Sequence, residues 1–231
     1  PYDYPHIFAM YFAMYRIARD HPHIPTQLSA DTYLERAHGT AVAMFTIPMR
    51  VIEWSAYGTG FYNECVIPDL VAALKERGWK RQAAELQAHW ARKVRHFVLE
   101  SPDLFGSEYP FDSTGFESTQ ALARSALDDP AALGVTAGQA RAFADRQMAA
   151  NLFCRGWLEP AYYLLGSDYR AQGADSYTLT YMAQMGGWAV LDHALHDRAD
   201  PHALLRLGYA SQLSAWAMVN SGTAESGYGY W

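Results

Sequence analysis

The chain has 231 residues, 50% hydrophobic and 18% charged, enough apolar material for a sizeable core, which excludes a disordered polyelectrolyte. A net charge of −6 and a pI near 5.8 leave no excess positive field for a phosphate backbone, and no Lys/Arg cluster interleaves with aromatics, so nucleic acid is not expected as a partner. Two cysteines, Cys65 and Cys154, cannot form a disulfide framework, and the first apolar run, Ile7 to Tyr15, is shorter than the roughly 20 residues of a membrane span.

Eight helices are predicted, and no run alternates with period two between hairpin turns. The first runs from Pro5 to Asp20 and is apolar on every side through Tyr15, as a helix buried all round would be. The second follows Ser29 as N-cap and runs to Ile47, with Leu34, Ala37, Ala41 and Phe45 on one face. The third lies between Phe61 and Arg77, with Pro68 as an alternative start. The fourth spans Lys80 to Glu100. It sets Ala83, Leu86, Trp90, Val94 and Phe97 against Lys80, Arg81, Glu85, Arg92, Lys93 and Arg95, and so faces water on one side. The fifth runs from Thr114 to Leu127. The sixth spans Gln139 to Leu165, bent or broken by Gly156 and Pro160. The seventh, Tyr177 to His196, has no charge before Asp192. The eighth starts at Asp200 and Pro201 and continues to Ser221.

Buried odd helices alternating with one-faced even ones describe helical hairpins stacked around an axis, so an all-α fold is expected: four hairpins of an incomplete (α/α)6 toroid. The start at Pro1 and the stop at Trp231 read as cuts inside a longer protein, and residues 1–231 are expected to be one domain fragment.

The connections divide into two kinds. Those from odd to even helices (His21 to Ala30, Gly78-Trp79, Asp128 to Gly138, Asp197 to Pro201) are turn residues and caps. Those from even to odd helices (Pro48 to Phe61, Ser101 to Ser113, Gly166 to Ser176, Gly222 to Trp231) carry Glu53, Trp54 and Tyr57; Glu108, Tyr109 and Asp112; Asp168, Tyr169 and Arg170; Glu225 and Tyr228. Stacked hairpins would open all of these loops at one rim.

Aromatics and carboxylates at one mouth suit sugars, whose ring faces stack on Tyr and Trp while their hydroxyls bond to Asp, Glu, Asn and Arg. Glycosidic cleavage needs two carboxyl groups of different protonation, about 5–5.5 Å apart for retention and about 6.5–9.5 Å for inversion. Glu64, Glu108, Asp112 and Glu117 are the catalytic candidates; Glu53, Tyr57, Tyr62, Asn63, Tyr109, Asp168, Tyr169, Arg170, Tyr177, Glu225 and Tyr228 are candidates to hold substrate. Structural roles compete with these: Asp112 as an N-cap, Glu117 as a first-turn charge favoured by the helix dipole, and Arg155 with Glu159 as a local ion pair. The nine histidines show no ligand spacing, and neither a nucleophile elbow nor a phosphate loop is present, so no metal and no cofactor is expected.

The segments YNECVIPDLVAAL, SEYPFDSTGFES, CRGWLEPAYYLLGSDYR, YMAQMGGWAVLD and SGTAESGYGYW resemble stretches of a largely uncharacterised family of microbial glycoside-hydrolase-like proteins. The resemblance implies an (α/α)6 toroid joined to a neighbouring β-rich domain in a secreted or periplasmic parent protein. It transfers no catalytic residues. The expected function is a glycoside hydrolase acting on an oligo- or polysaccharide. A polysaccharide lyase with a Tyr base and a non-catalytic carbohydrate-binding domain are the alternatives.

Overall fold

The computed structural model describes residues 2–101, 104, 115–153, 186–196 and 200–219, and of 214, 215 and 217–219 the backbone alone. Its elements are α1 (Asp3–Asp20), α2 (Ala30–Ile52), α3 (Ile67–Glu76), α4 (Lys80–Arg95), α5 (Phe116–Asp128), α6 (Pro130–Leu133), α7 (Ala137–Phe153), α8 (186–196) and α9 (His202–Val219). No strand occurs among the described residues, so the all-α expectation holds there.

Local sequence explains most of the boundaries. Ser29 caps α2 by accepting the Thr32 N–H at 3.2 Å. Pro48 does not end α2, as expected from its missing N–H; the helix continues to Ile52 with Pro48 buried inside it. Packing of the buried ring offsets the lost hydrogen bond, a defect of about 3 kcal/mol in an exposed helix interior. Glu53 then stops the helix in the left-handed region at φ 55°. The fourth helix, expected to be uniform to Glu100, changes at His96–Glu100 into a π-helical turn closed by Ser101 N–H to His96 O at 2.8 Å. The connection expected to be plain between Asp128 and Gly138 holds α6, capped by the Asp129 carboxylate with Pro130 at its first position and Gly134 in the left-handed region.

The helices pack as consecutive pairs: α1 on α2, α3 on α4, α5 on α7, with α2–α4 and α4–α5 contacts joining one pair to the next. One core runs through all of them, from Phe8, Phe12 and Tyr15 of α1 to Phe143 and Ala144 of α7. Its fully enclosed side chains, Leu34, Leu70, Leu74 and Leu86 among them, contribute about 1.5–3 kcal/mol each. A second cluster of Phe116, Met148, Ala189 and Val190 joins α5, α7 and α8.

Two burial expectations are corrected. The first helix is not buried all round: α1 buries Pro5, Phe8, Phe12 and Tyr15 but exposes Ile7 and Met10 at 41% and 53%. Its apolar composition hides an ordinary one-sided period of 3.6. Lys93 is not on the water face of α4 but completely enclosed, because it falls seven residues after Leu86 and three after Trp90, inside the apolar stripe. α5 buries Phe116, Ser118, Thr119, Gln120, Ala121, Leu122, Ala123 and Ala126.

Candidate functional site around Glu117

The loop of residues 53–66 crosses from α2 to α3 and carries a short 3-10 turn at each end, Ala56–Gly58 and Glu64–Val66. Two pins hold it. Trp54 and Phe61 pack edge-on to Tyr2, with ring centroids at 5.8 and 5.6 Å. From beneath, the Lys93 ammonium donates to Thr59 O at 2.6 Å and to Glu64 Oε2 at 2.5 Å, and lies 4.6 Å from the Phe61 ring centre. Glu64 and Lys93 are both 0% exposed. Burial pushes the Glu64 carboxyl above its usual range and the Lys93 ammonium below its own, each opposed by the other's charge.

Above this pair the chain turns sharply at Asn63, in the left-handed region at φ 62°, a conformation Asn tolerates better than most side chains. The turn aims the Asn63 N–H at Glu117 Oε1 at 2.7 Å. The Cys65 thiol donates to the same oxygen at 3.1 Å. The Asn63 side-chain nitrogen lies 2.7 Å from His6 Nδ1, and the His6 ring stacks on Tyr62 at 5.8 Å. Glu117 sits in the first turn of α5, where the helix dipole favours negative charge, yet burial wins and raises its carboxyl above the usual range, with the Cys65 and Asn63 hydrogen bonds working the other way. Both donors fall on Oε1. A proton held by this acid is therefore left to Oε2. The Cys65 thiol, half-buried beside Glu117, is pushed far up and is not a nucleophile at neutral pH.

Of the residues singled out from sequence, Tyr62, Asn63, Glu64 and Glu117 thus meet around one loop. Glu64 is closed off from solvent, a position that denies it contact with a ligand at the surface. Glu53 is exposed and acts as the C-cap of α2. Tyr57 belongs to a separate cluster: its hydroxyl is 2.7 Å from His89 Nδ1, Arg92 lies 4.0 Å over its ring, and Phe45 stacks on both Tyr57 and His89. Burial raises the Tyr57 hydroxyl above its ordinary value. Glu108, Tyr109, Asp112, Asp168, Tyr169, Arg170, Tyr177, Glu225 and Tyr228, like Arg155, Glu159 and Cys154, lie outside the described residues.

Sequence reading missed Lys93, His6 and the partners of Asp192. The spacing of Lys93 within the apolar stripe was a usable signal, and so was the isolation of Asp192 as the first charge of its helix. Asp192 accepts from Gln120 at 3.0 Å and from Arg124 at 2.7 Å, and Gln147 donates to Gln120 at 2.7 Å, a polar layer joining α5, α7 and α8. Among the described residues no group of three His, Cys, Asp or Glu side chains could hold a metal ion, and no helix is long and apolar enough to cross a membrane.

Neither a curated protein nor a solved structure matches the chain. One family model, described as a family of unknown function, DUF5695, matches residues 1–125, a stretch that contains His6, the loop of residues 53–66, Lys93 and Glu117. With more than half of its length matched, the chain belongs to the DUF5695 family.

Proposed function

We propose that this domain cleaves glycosidic bonds, with Glu117 as the general acid. The observation that carries the reading is the Glu117 carboxyl itself: burial keeps it protonated above the ordinary range, and two donors on Oε1 orient Oε2 as the proton-bearing oxygen. The His6–Tyr62 stack beside it offers a flat face for a sugar ring, and the Asn63 amide a polar edge. The second carboxyl is assigned to Glu108 or Asp112, five to nine residues before Glu117 in the chain. Glu64, paired with Lys93 in the interior, holds the loop and does not touch substrate. Consecutive helix pairs support an (α/α)6 toroid as the frame. The β-rich neighbour and the secreted or periplasmic parent protein belong to the same reading through the family resemblance.

A lyase would need a Tyr base with Arg or His against a uronate, and Tyr57 with both His89 and Arg92 beside it is a described cluster of that composition. Burial counts against it, since it raises Tyr57 instead of lowering it. The test is hydrolysis of a panel of oligosaccharides by the unaltered chain and by Glu117→Gln. The variant is expected to keep its circular dichroism spectrum and lose activity by about 10²–10⁴-fold. Unchanged turnover in Glu117→Gln refutes the assignment, an unsaturated product absorbing in the ultraviolet moves the reading to the lyase, and binding without turnover leaves a binding domain.

A further inference from the structure

Beside Cys65, two adjoining cavities of about 420 and 190 Å³ lie between α3 and α5 and share Pro68, Ser125 and Asp128 as walls. The larger falls within the range of about 300–1,000 Å³ usual for small-ligand sites. The three shared residues set the two cavities side by side along α5, and together they form one trench, a candidate site for an extended ligand.

The trench is built, not incidental. At one end Trp188 is half-buried. In the other cavity Trp90 forms the floor, its indole N–H fixed on Ser125 Oγ at 3.0 Å. Asp192 stands in the wall with its side chain 7% exposed, held by Gln120, Arg124 and His196 at 3.0, 2.7 and 3.3 Å. The charged lining is Asp69, Asp128, Asp129 and Asp192 against Arg124 and Lys75. Arg124 is already committed to Asp192, with Asp128 3.8 Å from its Nε. The excess is negative. An anionic chain such as a polyuronate is repelled, whereas a chain bearing ammonium groups meets Asp69 and Asp128 as counter-charges and the Trp188 ring as a cation-accepting face. Cys65 lines the trench and donates to Glu117, so the trench ends one side chain from the proposed acid.

We propose that the trench between α3 and α5 binds an amine-bearing glycan, a run of hexosamine units with free ammonium groups. This rests on the carbohydrate reading above and names its substrate class. The test is titration calorimetry of the chain at mildly acidic pH with hexaglucosamine, its fully N-acetylated counterpart, hexagalacturonate and a lysine-rich peptide of equal charge. Hexaglucosamine is expected to bind about tenfold more tightly than the N-acetylated chain, and hexagalacturonate not at all. Asp69→Asn with Asp128→Asn, two exposed positions that leave the core alone, is expected to weaken hexaglucosamine about tenfold, and Trp188→Phe to weaken it less. Equal binding by the double variant, tighter binding of the uronate, or equal binding of the lysine peptide overturns the proposal. The same titration with Glu117→Gln separates the two readings: binding kept while hydrolysis is lost supports both. Trench binding with hydrolysis intact removes only the acid, and hydrolysis without trench binding removes only the trench.

Discussion

Replacing Lys93 by Met puts the internal ion pair to the sharpest test. Lys93 is 0% exposed and donates both to Thr59 O and to Glu64 Oε2, so Met fills much of the same volume but strands a carboxylate and a carbonyl. Breaking a buried pair from one side costs about 3–5 kcal/mol, out of a total stability of about 5–15 kcal/mol. For a chain of this size that is a melting-temperature loss of about 6–20 °C. The cost depends on pH with a definite sign. Without Lys93 only the Phe61 backbone hydrogen bond still opposes the desolvation that raises Glu64, so the variant's Glu64 holds its proton more tightly when folded than when unfolded. Such a group stabilises the fold below its unfolded value, and that contribution disappears as pH rises through its folded value. Urea unfolding should therefore show a large deficit at pH 7 that shrinks toward pH 5. The double variant Lys93→Met with Glu64→Leu leaves no stranded carboxylate and should recover most of the loss, the two changes being far from additive. A deficit under about 1 kcal/mol at pH 7, or a double variant no better than the single, would refute the reasoning.

Further outcomes follow from the same packing. Gly39 lies inside α2 with nothing near the position of an added Cβ, so Gly39→Ala should raise stability by about 0.5–1 kcal/mol. At Gly208 a Cβ would come within 2.7 Å of Leu191 Cγ and 2.9 Å of the Gly187 carbonyl, so Gly208→Ala should cost about 1–3 kcal/mol; thermal melts that rank the two variants the other way contradict the helix contact. Asn63→Ala should lose about 1–2 kcal/mol from the left-handed backbone, whereas Asn63→Gly should keep the turn, and equal melting of both would show that the turn is not strained. Cys65, half-buried and pushed up by burial and Glu117, should alkylate far more slowly in the native chain than in urea at pH 8, followed by peptide mapping; equal rates would show that Glu117 does not hold the thiol proton. Activity, where Glu117 is the acid, should fall as pH rises through its elevated value, because the protonated form does the work, and the residual activity of Glu117→Gln should lack that limb of the profile.

What the chain determines by itself is local. The capping of α2 by Ser29, the Pro at the start of α6, the apolar stripe of α4 and the absence of two-residue alternation all follow from interactions within a few residues, and they specify an all-α fold without reference to any partner segment. The even-to-odd loop was legible as chemically loaded through Glu53, Trp54 and Tyr57, whereas Tyr62, Asn63 and Glu64, read at the entry to the third helix, fall in the loop because that helix begins only at Ile67. Tertiary structure decided which of those side chains face what. Glu64 and Glu117 read alike along the chain, yet Lys93, arriving from α4, draws the first into the interior, while Asn63 and Cys65 present hydrogen-bond donors to the second. Lys93 read as surface because its charge suggested water, and only the approach of the loop of residues 53–66 supplies the acceptors that let it be buried. The partners of Asp192 come from α5 and from its own helix. Burial, and with it the protonation of each carboxyl, depends on which distant segments close over a residue, and that is a property of the packed molecule.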